Sequence, residues 1–391
     1  MKHCWQKRVN ISGFIICSLK MKEIMQTTDN WQRIWNDHGS NNRFSPAKTL
    51  LHILSLPYRL IINLRNRLYD HRIFREVKLP CPVISVGNIT VGGTGKTPCV
   101  IWLARMLQQE GFKPAILSRG YGSRNSQPVT IVADGNNILT SSAVAGDEPY
   151  LIARSLPGIP VLTGPKRILT GKTAINKFGI NVLICDDAFQ HRQIFRDINL
   201  VLLDSQAPLG NGHVLPRGSL REPLAALSRA DAFILTRNNE AARIDKIIAK
   251  LATAGNTPIF KSSHRSVDAI RGDYSRQLPL AELKDKKVYA FAGIAKPDSL
   301  EKAIKATGAQ IVSFDVFPDH HHYSLKELKN IRDNFLKSNA DLLMTTEKDG
   351  MRLQEFADFL KDIYLLRIEL AIVPDENSLK NFILGKLEKI D

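Results

Sequence analysis

The sequence predicts an α/β protein, a doubly wound parallel sheet followed by a second, smaller α/β unit. Three observations predict it. Short apolar runs rich in β-branched residues alternate with helical patterns along most of the chain. A glycine-rich turn, Gly87–Gly95, joins one such run to a helix that opens with Lys96-Thr97. The 391 residues, 43% hydrophobic and 24% charged, have an ordinary globular balance and enough length for two domains.

Val83–Val86 is suited to a buried strand, and Val100, Leu103, Ala104 and Leu107 recur at helical spacing after the turn. Strand, glycine loop, Lys-Thr, helix is the order of a phosphate-binding P-loop. Glycines let backbone N–H groups converge on phosphate oxygens, and the helix N-terminus adds partial positive charge. Gly92, Gly93, Thr94, Gly95, Lys96 and Thr97 are therefore the candidate ATP-binding residues, with Lys96 on the β- and γ-phosphates and Thr97 on Mg2+. Thr90 stands where the common pattern has its first glycine. The G-G-x-G-K-T arrangement is that of a variant P-loop, seen also in chromosome-partitioning ATPases.

Before the loop, residues 1–46 read as a poorly ordered extension: a short apolar stretch, Ile11–Leu19, is followed by Lys20-Met-Lys-Glu23, unlike a signal-peptide cleavage site. Residues 47–78 carry Leu50, Ile53, Leu54, Ile61, Leu64 and Leu68 on one helical stripe, with five arginines among or after them. Pro57 is expected to kink this helix or open its second half. Residues 1–80 hold 14 Lys/Arg against 5 Asp/Glu, a net +9 of the chain's +16. An amphipathic basic helix can lie in a membrane interface or pack on the neighbouring domain; the arginine clustering favours an anionic surface. The five scattered cysteines form no C-x-x-C pair, which suits a reducing cytoplasm.

Beyond the P-loop helix, Pro114–Ser118 is a strand ending in Arg119-Gly-Tyr-Gly122; Arg119 can hold a phosphate or stabilise the turn. Asp147, in Gly146-Asp-Glu-Pro149, can cap a helix or accept a proton from an attacking hydroxyl. Arg167–Phe178 is a helix whose Thr170-Gly-Lys-Thr173 only mimics a P-loop, since no glycine loop precedes it. Ile180–Cys185 is a buried strand ending in Asp186-Asp187, the arrangement that orients Mg2+. His191 is a ligand-facing donor or a turn residue. The loop Gly210–Pro223 brings Arg217, Arg221 and Glu222.

Together these motifs resemble one family, the tetraacyldisaccharide 4'-kinases of lipid A biosynthesis. The carrying residues are G-N-I-T-V-G-G-T-G-K-T-P (Gly87–Pro98), S-R-G-Y-G (Ser118–Gly122), G-D-E-P (Gly146–Pro149), D-D-A-F-Q-H-R (Asp186–Arg192), L-P-R-G-S-L-R-E-P (Leu215–Pro223) and T-E-K-D (Thr346–Asp349). Ala188 departs from the family's usual glycine. The resemblance implies a P-loop NTPase-like sheet joined to the smaller α/β domain by a β-ribbon, and ATP-dependent phosphorylation of the 4'-hydroxyl of an acylated glucosamine disaccharide 1-phosphate. It implies an Asp–His pair as base, Asp147 with a histidine of the D-H-H segment, here His320. Mg2+ would be placed by Thr97 with Asp186 or Asp187 and Glu222; Arg119 and Arg221 would clamp phosphates. It places the chain peripherally on the cytoplasmic face of the inner membrane, with a membrane lipid substrate, no nucleic acid and no obligate protein partner. The alternative is a partitioning-type ATPase switch that binds DNA or protein; such proteins usually carry a lysine ahead of the two glycines, where Val91 stands.

The expected organisation is an extension at 1–46, a basic arm at 47–78, the nucleotide domain at 79–257, a linker strand at 258–280 and the smaller domain at 281–391, with a return strand at 363–373. Asp319-His320-His321-His322 is not read as a zinc site, because adjacent histidines point in different directions.

Overall fold

The computed structural model describes residues 46–120, 127–237 and 257–390. The expectations for residues 1–45, for Tyr121-Gly122 and for the segment after Arg237 lie outside them.

Helix α1 (Pro46–Asp70) comes first. It continues through Pro57 to Asp70, so the second half is not opened. A proline inside a helix removes one N–H and crowds the preceding turn; in that turn the Ser55 hydroxyl donates to the His52 carbonyl at 2.6 Å. The elements that follow are β1 (Val83–Asn88), α2 (Lys96–Gln109), β2 (Pro114–Ser118), β3 (Thr130–Asp134), α3 (Ser142–Ala145), α4 (Asp147–Ser155), β4 (Pro160–Thr163), α5 (Arg167–Phe178), β5 (Val182–Asp186), β6 (Ile198–Asp204) and β7 (Ala232–Thr236). The second part holds β8 (Ile259–Arg271), β9 (Gln277–Pro279), β10 (Lys287–Ala292), α6 (Pro297–Ala306), β11 (Gln310–Val316), α7 (Leu325–Lys337), β12 (Leu342–Thr346), α8 (Glu347–Arg352), α9 (Ala357–Leu360), β13 (Ile363–Val373) and α10 (Glu376–Leu387).

Among the described residues the strands form one sheet in the order β11-β10-β12-β13-β8-β7-β6-β1-β5-β2-β4-β3, with β9 on β8. The first lobe is parallel except for β3 against β4, and strands β10, β11, β12 and β13 are mutually parallel. The long strands β8 and β13 pair antiparallel, from Arg271 opposite Tyr364 to Lys261 opposite Val373, and form the ribbon between the lobes. Apolar alternation gives way to continuous burial in β1, β2, β5, β6 and β7, as expected of strands covered on both faces.

Strand β1 is central, with β5 on one side and β6 on the other. Its C-terminal end feeds the glycine loop, where open α/β sheets bind ligands. Gly87 lets that end lie against the turn after β5: a Cβ there would meet Phe189 Cβ at 2.6 Å. The look-alike Thr170-Gly-Lys-Thr173 lies within α5, where Gly171 packs under Leu79.

Candidate active site between the lobes

The phosphate cradle is built locally. Gly95 takes the left-handed conformation (φ 87°) and begins α2, so the loop turns sharply and Lys96 and Thr97 start a helix whose free N–H groups face the loop. A Cβ at Gly95 would sit 2.8 Å from His264 Nε2, so only glycine fits. Gly92 and Gly93 are exposed with open space around them. Thr94 is buried, and its carbonyl accepts a bond from Thr236 Oγ1 at 3.0 Å.

Across from the loop, Lys96 Nζ lies 3.5 Å from Asp187 Oδ1. Arg221 Nη1 donates to both Asp187 oxygens at 2.9 Å. Burial pushes the Asp187 carboxyl up, but Lys96 and Arg221 outweigh it and hold it below the usual carboxylate range. Asp187 itself is left-handed (φ 50°), a conformation that persists in a non-glycine residue when its surroundings over-determine it.

Asp186 is different. It is buried, Ser118 Oγ donates to its Oδ2 at 3.2 Å, and its Oδ1 has no partner. Burial, then the charges of Glu148 and Asp187, push its carboxyl up to about 7. An orphaned carboxylate oxygen among excess negative charge fits a cation. Thr97, Asp186 and Asp187 therefore suit Mg2+. Among the described residues no three His, Cys, Asp or Glu gather to hold a metal unaided; Mg2+ ordinarily keeps water and phosphate ligands beside one or two carboxylates.

Glu222, the remaining expected Mg2+ residue, is already paired. Its carboxylate is fully buried and ion-paired with Arg65 of α1 and with Arg229. Like Asp187, which meets Lys96 and Arg221, Glu222 is shared between two cations, and it bridges α1 to the loop.

The second half of the site is assembled from distant segments. Asp147 heads α4 but makes no cap bond. Its Oδ2 accepts instead from Arg352 Nε at 2.7 Å and lies 3.7 Å from His320 Nδ1. Burial raises the Asp147 carboxyl, and the nearby His320 together with the hydrogen-bonded Arg352 more than reverses that, so its pKa falls below the ordinary value. His320 is left-handed (φ 57°) and half-exposed. Its neighbour His321 turns away, pairing with Glu327 at 3.2 Å and stacking on Phe317.

Arg352 is the residue that the sequence reading missed. Its side chain is 1% exposed and also donates to the Gly293 carbonyl (2.7 Å) and Asp349 Oδ1 (3.0 Å), with Nη2 3.3 Å from His320 Nδ1. T-E-K-D was the signal: Thr346 caps α8 by accepting from the Asp349 N–H, and Lys348 reaches across to Glu148 at 2.6 Å. The motif thus ties the lobes together rather than forming a surface turn. A second tie lies beyond the loop, where Lys296 and Arg237 both reach Asp204 at 2.5 Å and Arg237 also donates to the Gly93 carbonyl at 3.0 Å.

Arg119 is exposed at the end of β2 and contributes positive charge that helps depress Arg167 and His191. The His191 Nε2 is buried without a partner; burial and the neighbouring arginines pull that ring to about 4.

A lysine-bearing glycine loop facing an acidic strand end, with an Asp of the same lobe met by a His of the other, defines a P-loop phosphotransferase. The chain belongs to the tetraacyldisaccharide-1-P 4'-kinase family, whose model matches residues 47–388. It is 46% identical over 362 residues to a tetraacyldisaccharide 4'-kinase of Syntrophus aciditrophicus, covering 90% of this chain and 97% of that one. It is 40% identical over 358 residues to one of Desulfatibacillum aliphaticivorans, covering 90% and 95%. The crystal structure of LpxK from Aquifex aeolicus in complex with ATP superposes with a TM-score of 0.72 at 34% identity, covering 87% of this chain and 99% of that one.

Proposed function

We propose that this chain transfers the γ-phosphoryl group of ATP to the 4'-hydroxyl of a tetraacyl glucosamine disaccharide 1-phosphate. The single observation that supports the residue assignment is the Asp147–His320 approach across the two lobes, next to Glu148, which feels the charges of both Lys96 and His320. The partitioning-type ATPase reading is not favoured, since the family match extends over both lobes.

Phosphoryl transfer asks the protein chiefly for positioning and charge neutralisation. Lys96 and the loop N–H groups would hold the transferring phosphoryl. Thr97, Asp186 and Asp187 would hold Mg2+, which when bound neutralises phosphate charge. Asp147 is ionised at neutral pH, held so by Arg352 and His320, and would accept the hydroxyl proton. A carboxylate of lowered pKa is a weak base, which suits a loose transition state in which that proton leaves late. Arg119 would clamp a phosphate from the open rim.

The arm supports a lipid surface as the place of reaction. Leu50, Ile53, Ile61 and Leu64 are 58%, 56%, 66% and 60% exposed, as is their neighbour Leu60 at 69%, so most of the stripe expected to pack or dock is left bare to the outside. No helix among the described residues is long and apolar enough to cross a membrane. A bare apolar stripe flanked by Arg59 and Arg67 suits an interfacial helix, peripheral on the cytoplasmic face of the inner membrane.

The test is transfer of label from radiolabelled ATP to the 1-phosphorylated disaccharide lipid in mixed micelles. The expected result is lipid-dependent transfer, and no stimulation by DNA. Replacing Leu60, Ile61 and Leu64 by serine should weaken binding to phosphatidylglycerol vesicles. Absence of transfer, with ATP bound, would overturn the acceptor assignment.

A further inference from the structure

Helix α1 turns its apolar stripe outward, yet its other side is bonded to the phosphate site. Tyr58 Oη donates to the Arg221 carbonyl at 2.8 Å. Arg65 pairs with the buried Glu222, the next residue along. Arg192, which follows the Asp186-Asp187 turn, donates to the Asn66 carbonyl at 3.2 Å and to Asp70 at 2.7 Å, and stacks on the Tyr69 ring. Arg221 is thus held by its backbone from the arm while its guanidinium grips both oxygens of Asp187. Asp187 in turn meets Lys96.

Two facts make these contacts more than surface stitching. Glu222 has no exposure at all, and a buried carboxylate is costly unless compensated; one of its two cations comes from the arm. Asp187 has a left-handed backbone that needs external restraint. The turn that carries it is held on one side through Arg221 and on the other through Arg192, and both supports end on α1.

We propose that Arg65 and Tyr58 are positioning residues of the phosphate site: through Glu222 and Arg221 they fix Asp187, so the arm sets turnover as well as docking. This rests on the proposed function for the acceptor but not for the cradle. Whatever holds the outer face of α1 at a lipid surface therefore also steadies the residue that faces Lys96.

The experiment uses the full chain with Arg65→Ala, Arg65→Lys and Tyr58→Phe. Three readouts are needed: kcat in mixed micelles at saturating lipid, co-sedimentation with phosphatidylethanolamine–phosphatidylglycerol vesicles, and calorimetric ATP affinity with and without Mg2+. The expected result is a kcat lowered by roughly tenfold in Arg65→Ala, the scale of losing a residue that orients a ligand-holding group. Arg65→Lys should recover part of it, since a point charge still meets Glu222. Tyr58→Phe removes one hydroxyl and serves if Arg65→Ala folds poorly. Both should weaken ATP binding with Mg2+ more than without it, and leave vesicle binding unchanged. Wild-type kcat and affinity in Arg65→Ala and Tyr58→Phe would overturn the proposal, as would a kcat loss that only follows lost vesicle binding. The calorimetry needs no lipid, so it separates failure of this inference from failure of the acceptor assignment.

Discussion

The two halves of the site are built in opposite ways. On the phosphate side the chain does nearly everything within one strand–loop–helix unit, Val83 to Gln109, and the turn after a neighbouring strand. On the acceptor side Asp147, His320 and Arg352 come from three separate segments and meet only because the ribbon of β8 and β13 sets one lobe against the other. The phosphate side draws its outside support from α1, through Arg221 and Glu222, whereas the acceptor side depends on how the lobes sit.

Two substitutions test that contrast most strongly. Lys96→Ala removes charge from the transferring phosphoryl and should lower kcat by about 10²–10³ while also weakening ATP binding. Asp147→Ala should lower kcat on the order of 10²-fold or more, the scale of a lost general base, with ATP affinity nearly unchanged. Rates and calorimetric affinities measured together check the split; equal losses of both in Asp147→Ala would assign that residue to nucleotide binding or folding.

Arg352→Lys gives a smaller effect confined to the acceptor side. Lysine keeps the charge but cannot span Asp147, Asp349 and the Gly293 carbonyl at once. Turnover should fall about tenfold, and stability by about 1–3 kcal/mol, because a buried acceptor is left unmet. Denaturant unfolding beside the kinetic assay checks both; wild-type turnover would show that Asp147 needs no such support.

The contrast also explains what could be read from sequence. Contiguous motifs specify contiguous structure, so the loop at Gly92–Thr97 and the paired aspartates stand out: backbone and side chains that act together lie together. The alternation of strands and helices likewise announces a layered sheet. Asp147–His320 is 173 residues apart in sequence, and only the family resemblance linked them. T-E-K-D marked the segment but not Arg352 itself, whose role comes from being buried beside Asp349 and Gly293. The two arginine partners of Glu222, Arg65 and Arg229, were hidden for the same reason, since tertiary packing contributes them. Of the two outcomes expected at Pro57, the opened second half does not occur, because one missing N–H does not end a helix of 25 residues.

The junction itself is probed through Glu347, at the head of the helix that carries Arg352. Burial, then the opposing effects of Arg367 and Asp268, leaves its carboxyl raised from 4.5 to about 7. A raised acid pKa favours the folded chain at low pH: below about 4.5 both states hold the proton, and as pH rises toward about 7 the unfolded chain releases it first. Stability attributable to this group is thus lost across that window and flat above it. Glu347→Gln removes the titration and should match the wild type near pH 4.5, then gain with rising pH to a plateau on the order of 3 kcal/mol above pH 7. Thermal midpoints of both proteins across this range check it. A pH-independent difference would mean that the carboxyl finds its charge balanced among Arg367, Asp268 and their neighbours, and that the acceptor lobe is seated without electrostatic cost.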